Sequence, residues 1–415
     1  MKRLLSVLLV VAALAGLQPG LAAAEEAPRT PTILLDGLPL GFDVPPKIVD
    51  GRTMVPFRAI AEALGVTVIW HNENRSIEAY GPGTAVYLVI GSSTMWVNGT
   101  PVELDVPPMI VDSRTLLPLR AFSTAFGAQV GWDGDTYTVT VTSPVREMRM
   151  MAFYAIDSFP NRHLIPNFSD AAYGWAQFRP DGTVDLEGPV YQWPQPAGDI
   201  TGERLLADAA AAGTRRYLMI HNVDDNNLLM TQLVLDEAKI RQAAESVAVV
   251  VADKGFDGVM LDIELLGWSE QGAELERIKQ GYVQLVSAVA DRLEPAGKET
   301  AVALHPLNGW YHGYDYTALA AVADTMQIMA HDYVQGEPEP ADRVEEAIQM
   351  AVAAVGEANR SKLLLGILFY ETPETLLQKV GLAKRYGLGG FSFWRLGMLT
   401  PEDMAALESS VTRQR

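Results

Sequence analysis

The sequence predicts an α/β protein, a (β/α)8 TIM barrel preceded by a small duplicated β-rich α+β module. Three observations predict it. Two stretches near the N-terminus repeat one another in strict register. Beyond Pro144, short apolar strand patterns alternate with longer amphipathic segments. One of those strands ends in two carboxylates that share a face.

The chain has 415 residues, 48% of them hydrophobic and 20% charged, which is ordinary globular composition and ample length for a full core. The net charge of −19 argues against gripping nucleic acid or another polyanion through a basic face. Without cysteine there is no disulfide, no lipoprotein attachment and no structural thiolate metal site. Lys2 and Arg3 precede an apolar run from Leu4 to about Leu17, and Ala22-Ala23-Ala24 follows it. That is the plan of a secretory signal, expected to span residues 1–24 and to send the protein outside the cell or into its envelope. The run is shorter than the roughly 20 residues a membrane span needs, so no stable span is expected.

The repeats are DVPPKIVDGRTMVPFRAIAEALGVTVIW from Asp43 to Trp70 and DVPPMIVDSRTLLPLRAFSTAFGAQVGW from Asp105 to Trp132, with a constant offset of 62 residues. Such self-similarity marks a duplicated supersecondary unit. Each copy reads as a β-rich hairpin, a short helix (Arg58–Leu64 and Arg120–Phe126) and a strand ending at tryptophan. Asn98-Gly99 is a hairpin turn. Arg52, Arg58, Arg114 and Arg120 recur in register and are expected to pair with the repeated aspartates. The double PP-IV-D-RT-P-R pattern resembles the copper amine oxidase-like N-terminal domain of secreted bacterial proteins, over residues 33–142. That resemblance implies a stalk or wall-attachment role. Copper needs several imidazole or thiolate ligands, and this segment has His71 alone, so no copper site is expected.

From Met148 onward eight strand candidates follow: Met148–Ala155, Tyr173–Phe178, Tyr217–Asn222, Gly258–Glu264, Thr300–His305, Met326–Asp332, Leu363–Tyr370 and Gly390–Arg395. Helical stretches lie between most of them, among them Glu237–Asp253, Leu275–Leu293, Arg343–Val355 and Pro373–Tyr386. Eight such units over 147–412 fit a (β/α)8 barrel, whose active site lies at the C-terminal ends of its strands. Asp157, Trp175, His221, Asp262, Glu264, His305, His331, Asp332, Tyr370 and Trp394 collect there.

The sharpest segment is Phe256-Asp257-Gly258-Val259-Met260-Leu261-Asp262-Ile263-Glu264. Side chains alternate along a strand, so Met260, Asp262 and Glu264 share one face, and Val259, Leu261 and Ile263 share the other. The apolar face suits packing under helices, which turns the carboxylates to the barrel mouth. Carboxylates at i and i+2 have Cα atoms about 7 Å apart, close enough to touch or share a proton. Two such charges, partly desolvated, do not both ionise easily, and one pKa rises. A raised glutamate is what a general acid at neutral pH requires.

This segment resembles the DGxDxDxE signature of glycoside hydrolase family 18, which holds chitinases, endo-N-acetylglucosaminidases and spore-cortex or peptidoglycan lytic enzymes. Gln327-Ile328-Met329-Ala330-His331-Asp332-Tyr333 resembles the family's Q-x-M-x-Y-D-Y segment, and Gly389 to Gly397 its GG-x-S-x-W segment. The resemblance implies substrate-assisted retention. Glu264 is the acid and base, Asp262 orients the substrate's 2-acetamido group, and Asp332 helps hold it, with no separate nucleophile. His331, Tyr333, Met329 and Trp394 would bind the sugar, the last as an apolar floor. Tyr154, Trp175 and Tyr370, with Trp268 and Trp310, would extend the cleft. No metal or organic cofactor is required. Two departures stand out: Met260 where the family has an aspartate, and His331 where it has tyrosine.

The expected function is hydrolysis of N-acetylglucosamine-containing cell-envelope glycan, peptidoglycan or spore cortex. An aromatic content of 8% fits that better than crystalline chitin. The alternatives are a chitinase or chitooligosaccharide hydrolase and, given Met260 and His331, a non-catalytic glycan-binding protein of the envelope. Retention of both Asp262 and Glu264 favours catalysis.

Overall fold

The computed structural model describes residues 29–225, 228–368 and 370–415. The expected signal segment, 1–24, lies outside them. No helix among the described residues is long and apolar enough to cross a membrane.

In the N-terminal module the duplication appears as a pseudo-two-fold. Strands Arg52–Pro56 and Arg114–Pro118 pair antiparallel at the centre of a four-stranded sheet, and Val55 faces its own counterpart, Leu117. Each strand carries its hairpin partner, Lys47–Val49 and Met109–Val111, on the outside. The short helices are Phe57–Ala63 and Leu119–Ala125, each entered through a proline whose fixed φ suits a helix start. A five-stranded antiparallel meander runs from Thr67 to Glu103, and Asn98 and Gly99 make its last turn with positive φ. Thr32–Leu35 pairs parallel with Thr138–Thr142, which ties the two ends of the module together.

Two of the repeated arginines cross between repeats. Arg52 Nε donates to Asp105 at 2.6 Å and Arg114 Nε to Asp43 at 2.5 Å, the same contact made twice about the dyad. Both pairs are exposed, so each contributes little, about 0–1 kcal/mol. Arg58 and Arg120 make no ion pair among the described residues, so that part of the expectation fails.

The barrel strands are β1 (Arg146–Tyr154), β2 (Asp170–Phe178), β3 (Arg215–Val223), β4 (Gly258–Glu264), β5 (Glu299–Leu304), β6 (Thr325–Ile328), β7 (Leu363–Leu368) and β8 (Gly390–Trp394). All neighbours are parallel, and β8 pairs with β1 to close the barrel. At that seam a Cβ on Gly390 would sit 1.9 Å from the Arg149 carbonyl oxygen, so only glycine lets the strands meet. One strand is shorter than expected. β6 ends at Ile328, so Met329 to Asp332 have already left the sheet.

Strand alternation builds two cores. Val259, Leu261 and Ile263 of β4 face the helices, in the large outer core. Met260 faces inward with Met151, Phe153, Tyr217, Met219, Ala303 and Leu364. The barrel is therefore a packed interior and not a pore. The helix Glu237–Lys254 shows how an outer element is fixed. Asp236 caps its first N–H groups, Gly255 ends it at φ 72°, and Ile240, Ala243, Ala244, Val247 and Val251 form its buried stripe. Below the inner core, Asp170 accepts from Arg149 and Arg215, and Glu299 accepts from Tyr217. These charges, Asp170 fully buried and the others half-buried, are mutually satisfied at the N-terminal end of the barrel, away from the mouth.

The module meets the barrel through specific polar contacts. Arg146 donates to the carbonyls of Leu64 at 3.0 Å and Lys384 at 2.9 Å. The Lys384 ammonium is buried and donates to Ser410 O and Oγ, both at 2.7 Å, and to Ser143 Oγ and Pro144 O, both at 3.2 Å.

Candidate active site

The C-terminal ends of the strands surround a cavity of about 410 Å³. Phe153, Ala303 and Trp394 line its depth, and Asp262, Glu264, His221, His305, His331 and Asp332 face into it. A larger groove of about 730 Å³ lies on the N-terminal module beside Arg52, Arg120, Trp132 and Tyr137, but no buried titratable groups converge there.

Glu264 and Asp262 arrive together because β4 alternates as read. Asp262 is almost wholly buried. Burial first, and then the charge of Asp262, push Glu264 up to about 7, although His221 and His331 pull the other way. Glu264 thus holds its proton well above the usual carboxylate range. Asp262 Oδ2 is 3.0 Å from His221 Nδ1. Its other oxygen, Oδ1, is buried with no hydrogen-bond partner among the described residues. A buried carboxylate oxygen left bare costs on the order of 1–3 kcal/mol, so it calls for a donor. An incoming N–H would satisfy it.

His221 lies on β3 directly opposite Asp262 in the strand register, so both side chains point the same way. The tyrosine ring of Tyr191 covers the imidazole, with centroids 4.4 Å apart. His221 Nδ1 is also 3.7 Å from Glu264 Oε1. His221, Asp262 and Glu264 bring one ligand atom each to within 4.8 Å of one another, a donor set a divalent ion could use. The hydrogen bond inside the trio already accounts for that closeness.

Asp332 sits on the loop after β6 with φ 63°, a left-handed conformation that aspartate tolerates better than most residues. Glu339 fixes it. Its carboxylate accepts from the backbone N–H of Asp332 at 2.7 Å and of Tyr333 at 3.2 Å. Glu339 N–H in turn donates to Glu371 at 3.0 Å, and Glu371 pairs with buried Lys379 at 3.3 Å. His331 Nδ1 is 3.0 Å from Asp332 Oδ2, and that hydrogen bond lowers the Asp332 pKa against the opposing effect of burial.

Of the expected site residues, Glu264, Asp262, Asp332, His331, Met329, Tyr370 and Trp394 line the cavity. Trp394 stands on its floor with its ring edge to Phe153. Three do not line it. Tyr154 and Trp175 fall on the outward face of β1 and β2, where they pack with Tyr173 in the outer core. Strand parity excludes them, since Phe153 and not Tyr154 points inward. Tyr333 turns away, its hydroxyl donating to Asn308 at 2.7 Å and its ring covered by Arg343. The strand pattern puts His221 and His305 at the mouth without a role, and Gln327 and Arg395 only within strand segments; no sequence signal marks Tyr191 or Glu339.

The (β/α)8 barrel places a glutamate with a raised pKa beside a buried, half-satisfied aspartate at its mouth, an arrangement suited to general acid catalysis. Comparison with known proteins shows what the two parts of the chain resemble. Residues 224–370 match the family described as glycosyl hydrolases family 18, and residues 34–141 the copper amine oxidase N-terminal domain. Two segments of the chain are thus similar to known domains, with the one like the copper amine oxidase N-terminal domain standing in front of the one like family 18. The putative sporulation-specific glycosylase YdhD of Bacillus subtilis is 23% identical over 190 residues, 42% of this chain and 43% of that protein. The alignment thus spans less than half of that curated relative. Among solved structures, the spore cortex-lytic enzyme SleL of Bacillus cereus superposes with a TM-score of 0.54 at 17% identity, over 66% of this chain and 76% of that one. A chitinase from Chromobacterium violaceum gives 0.52 at 18%, over 63% and 98%. These likenesses speak for the fold.

The first domain's name implies copper, and its donors do not fit copper. His71 is its only histidine, cysteine is absent, and the ring lies 3.4 Å from Glu78.

Proposed function

We propose that the protein is a secreted hydrolase of N-acetylglucosamine-containing cell-envelope glycan, peptidoglycan or spore cortex, acting by substrate-assisted retention. The observation that carries this is the pairing of Glu264, held at about 7, with a buried Asp262 whose Oδ1 faces no donor. A 2-acetamido group supplies both missing pieces. Its N–H satisfies Asp262 Oδ1. Its carbonyl oxygen, oriented by that bond, attacks the anomeric carbon as Glu264 gives its proton to the leaving oxygen. The C–O bond breaks and an oxazolinium ion forms, its positive charge beside the Asp262 carboxylate. Glu264, now a base, takes a proton from water as the water opens the ring. Attack from one face and then the other retains the anomeric configuration.

Asp332 and His331 bound the acetamido side of the cavity, and Trp394 offers a flat apolar floor to a sugar ring. The relatives named for spore and sporulation activity support an envelope glycan, as does the secretory pattern of residues 1–24. In this reading residues 147–412 carry the chemistry, and the module at 33–142 attaches the enzyme to the wall. The chitinase among the fold relatives favours a second substrate, chitin oligomers, on the same site.

Release of reducing ends and soluble fragments from peptidoglycan and from chitin oligomers tests the proposal, with wild type beside Glu264→Gln after both are shown to be folded. Cleavage of one substrate with at least a hundredfold loss in the variant is the expected result. Binding without cleavage by either protein would make the chain a glycan-binding pseudoenzyme.

A further inference from the structure

We infer that His221 is a positioning residue for this reaction: it donates from Nδ1 to Asp262 Oδ2, fixes that carboxylate's rotamer and so aims Oδ1 at the substrate. The inference rests on the reading of Asp262 and Glu264 given above.

Asp262 has no support along its own strand. The inward side chain beneath it is Met260, which is buried and has neither an N–H nor an O–H to give. The support comes sideways. His221 and Asp262 are register partners on adjacent parallel strands, which puts their side chains next to one another on one face. Their 3.0 Å contact is the only hydrogen bond to the Asp262 carboxylate among the described residues. Tyr191 stacks on the imidazole and Phe178 N–H is held by neighbouring Asn222, so the end of β3 is braced on both sides of the contact.

Among the described residues, the charged and titratable groups near His221 come from β4, the loop after β2 and the rest of the cavity lining. Asp262 and Glu264 face it from β4, and the Tyr191 phenol covers it from the loop after β2. His305, His331, Asp332 and Arg395 stand across the cavity. Burial disfavours the imidazolium, but the hydrogen bond and charge of Asp262, with Glu264 behind them, raise its pKa above the usual value. When Glu264 has given up its proton, two carboxylates face one another in a buried site. An imidazolium 3.7 Å from Glu264 Oε1 offsets one of the two charges.

The test uses the full chain and whichever acetylated glycan the wild type cuts, with His221→Ala and His221→Asn beside Glu264→Gln. Alanine removes the donor. Asparagine returns an N–H to nearly the same place without the charge. His221→Ala is expected to lower kcat about ten- to a hundredfold, the size of one hydrogen bond to a charged group. His221→Asn is expected to recover at least tenfold of that. It should also move the alkaline limb of kcat/KM upward, because His221 no longer opposes the proton on Glu264. Wild-type rates in His221→Ala, or a loss that asparagine does not relieve with the limb unmoved, would overturn the inference. If the variants do not fold, NMR titration of the six histidines in wild type and Asp262→Asn decides. A His221 pKa that Asp262→Asn leaves in place rejects the contact. A wild type that cuts no glycan rejects the function instead, while the titration still reports on the contact.

Discussion

His305 Nε2 lies 3.9 Å from Glu264 Oε2, yet the two are not an ion pair. The same ring nitrogen accepts from Leu265 N–H at 3.3 Å, so it carries no proton. Burial pushes the imidazole down to about 4, which agrees. Near neutral pH, therefore, His305 brings no cation to hold Glu264 ionised, and burial and Asp262 raise its proton affinity.

A pH dependence with a definite sign results. Glu264 must be protonated to act as the acid, and it loses its proton near 7, so kcat/KM falls as pH rises through about 7. The charge of Asp262 is one cause of that elevation. Asp262→Asn should shift the alkaline limb to lower pH while it lowers kcat. The folding linkage has the same origin. A glutamate whose folded pKa exceeds its unfolded one binds more protons when folded, so its contribution to stability falls as pH rises from about 4.5 to 7. Glu264→Gln should thus melt higher than wild type above pH 7, measured by thermal denaturation across pH.

Glu339 holds the Asp332 loop from beneath through two backbone N–H groups. Glu339→Ala removes the acceptor from both donors, at about 1 kcal/mol each, and frees the loop that carries Asp332 and His331. We expect kcat/KM to fall at least tenfold. Glu339→Gln, which keeps one oxygen acceptor, should fall between the two. Urea denaturation beside the kinetics separates lost stability from lost positioning.

Trp268 and Tyr311 continue the site outward. Tyr311 packs on His305 with centroids 4.3 Å apart, and exposed Trp268 packs on Tyr311 at 5.3 Å. An exposed aromatic step leading from the acid suits sugar rings beyond the cut linkage. Trp268→Ala should raise KM several-fold for long oligomers and leave kcat on the shortest cleaved oligomer unchanged.

Lys384 joins the module to the barrel. Its buried ammonium has four oxygen acceptors, and burial pulls its pKa down to about 8. Lys384→Met keeps most of the volume but strips those acceptors of their donor. A loss of about 2–4 kcal/mol in urea unfolding is expected, with kcat unchanged, because the mouth lies at the other end of the strands.

Much of this was legible in the residues, and where it was not, the reason is physical. Alternation along Gly258–Glu264 fixes which carboxylates face inward, and β4 obeys it. The same rule applied to β1 and β2 would have turned Tyr154 and Trp175 away from the site. Tyr333 escaped because β6 stops at Ile328, and parity says nothing about a residue in the loop beyond. The partners of Asp262 and Asp332 come from far along the chain: His221 is 41 residues from Asp262, and Glu339 reaches back across a loop. No local pattern marks such contacts. The methionine at 260 was visible as a departure, but what replaces its function is set by strand register between β3 and β4.

Whether the substrate's own acetamido group is the nucleophile is decided by one comparison. The cleaved glycan would be offered fully N-acetylated and again after de-N-acetylation at the sugar preceding the cut, with the anomeric form of the fresh product read by NMR. Cleavage of the acetylated linkage with retained configuration is expected, with cleavage of the free amine at least about a hundredfold slower. Equal rates on both, or an inverted product, would contradict an acetamido nucleophile.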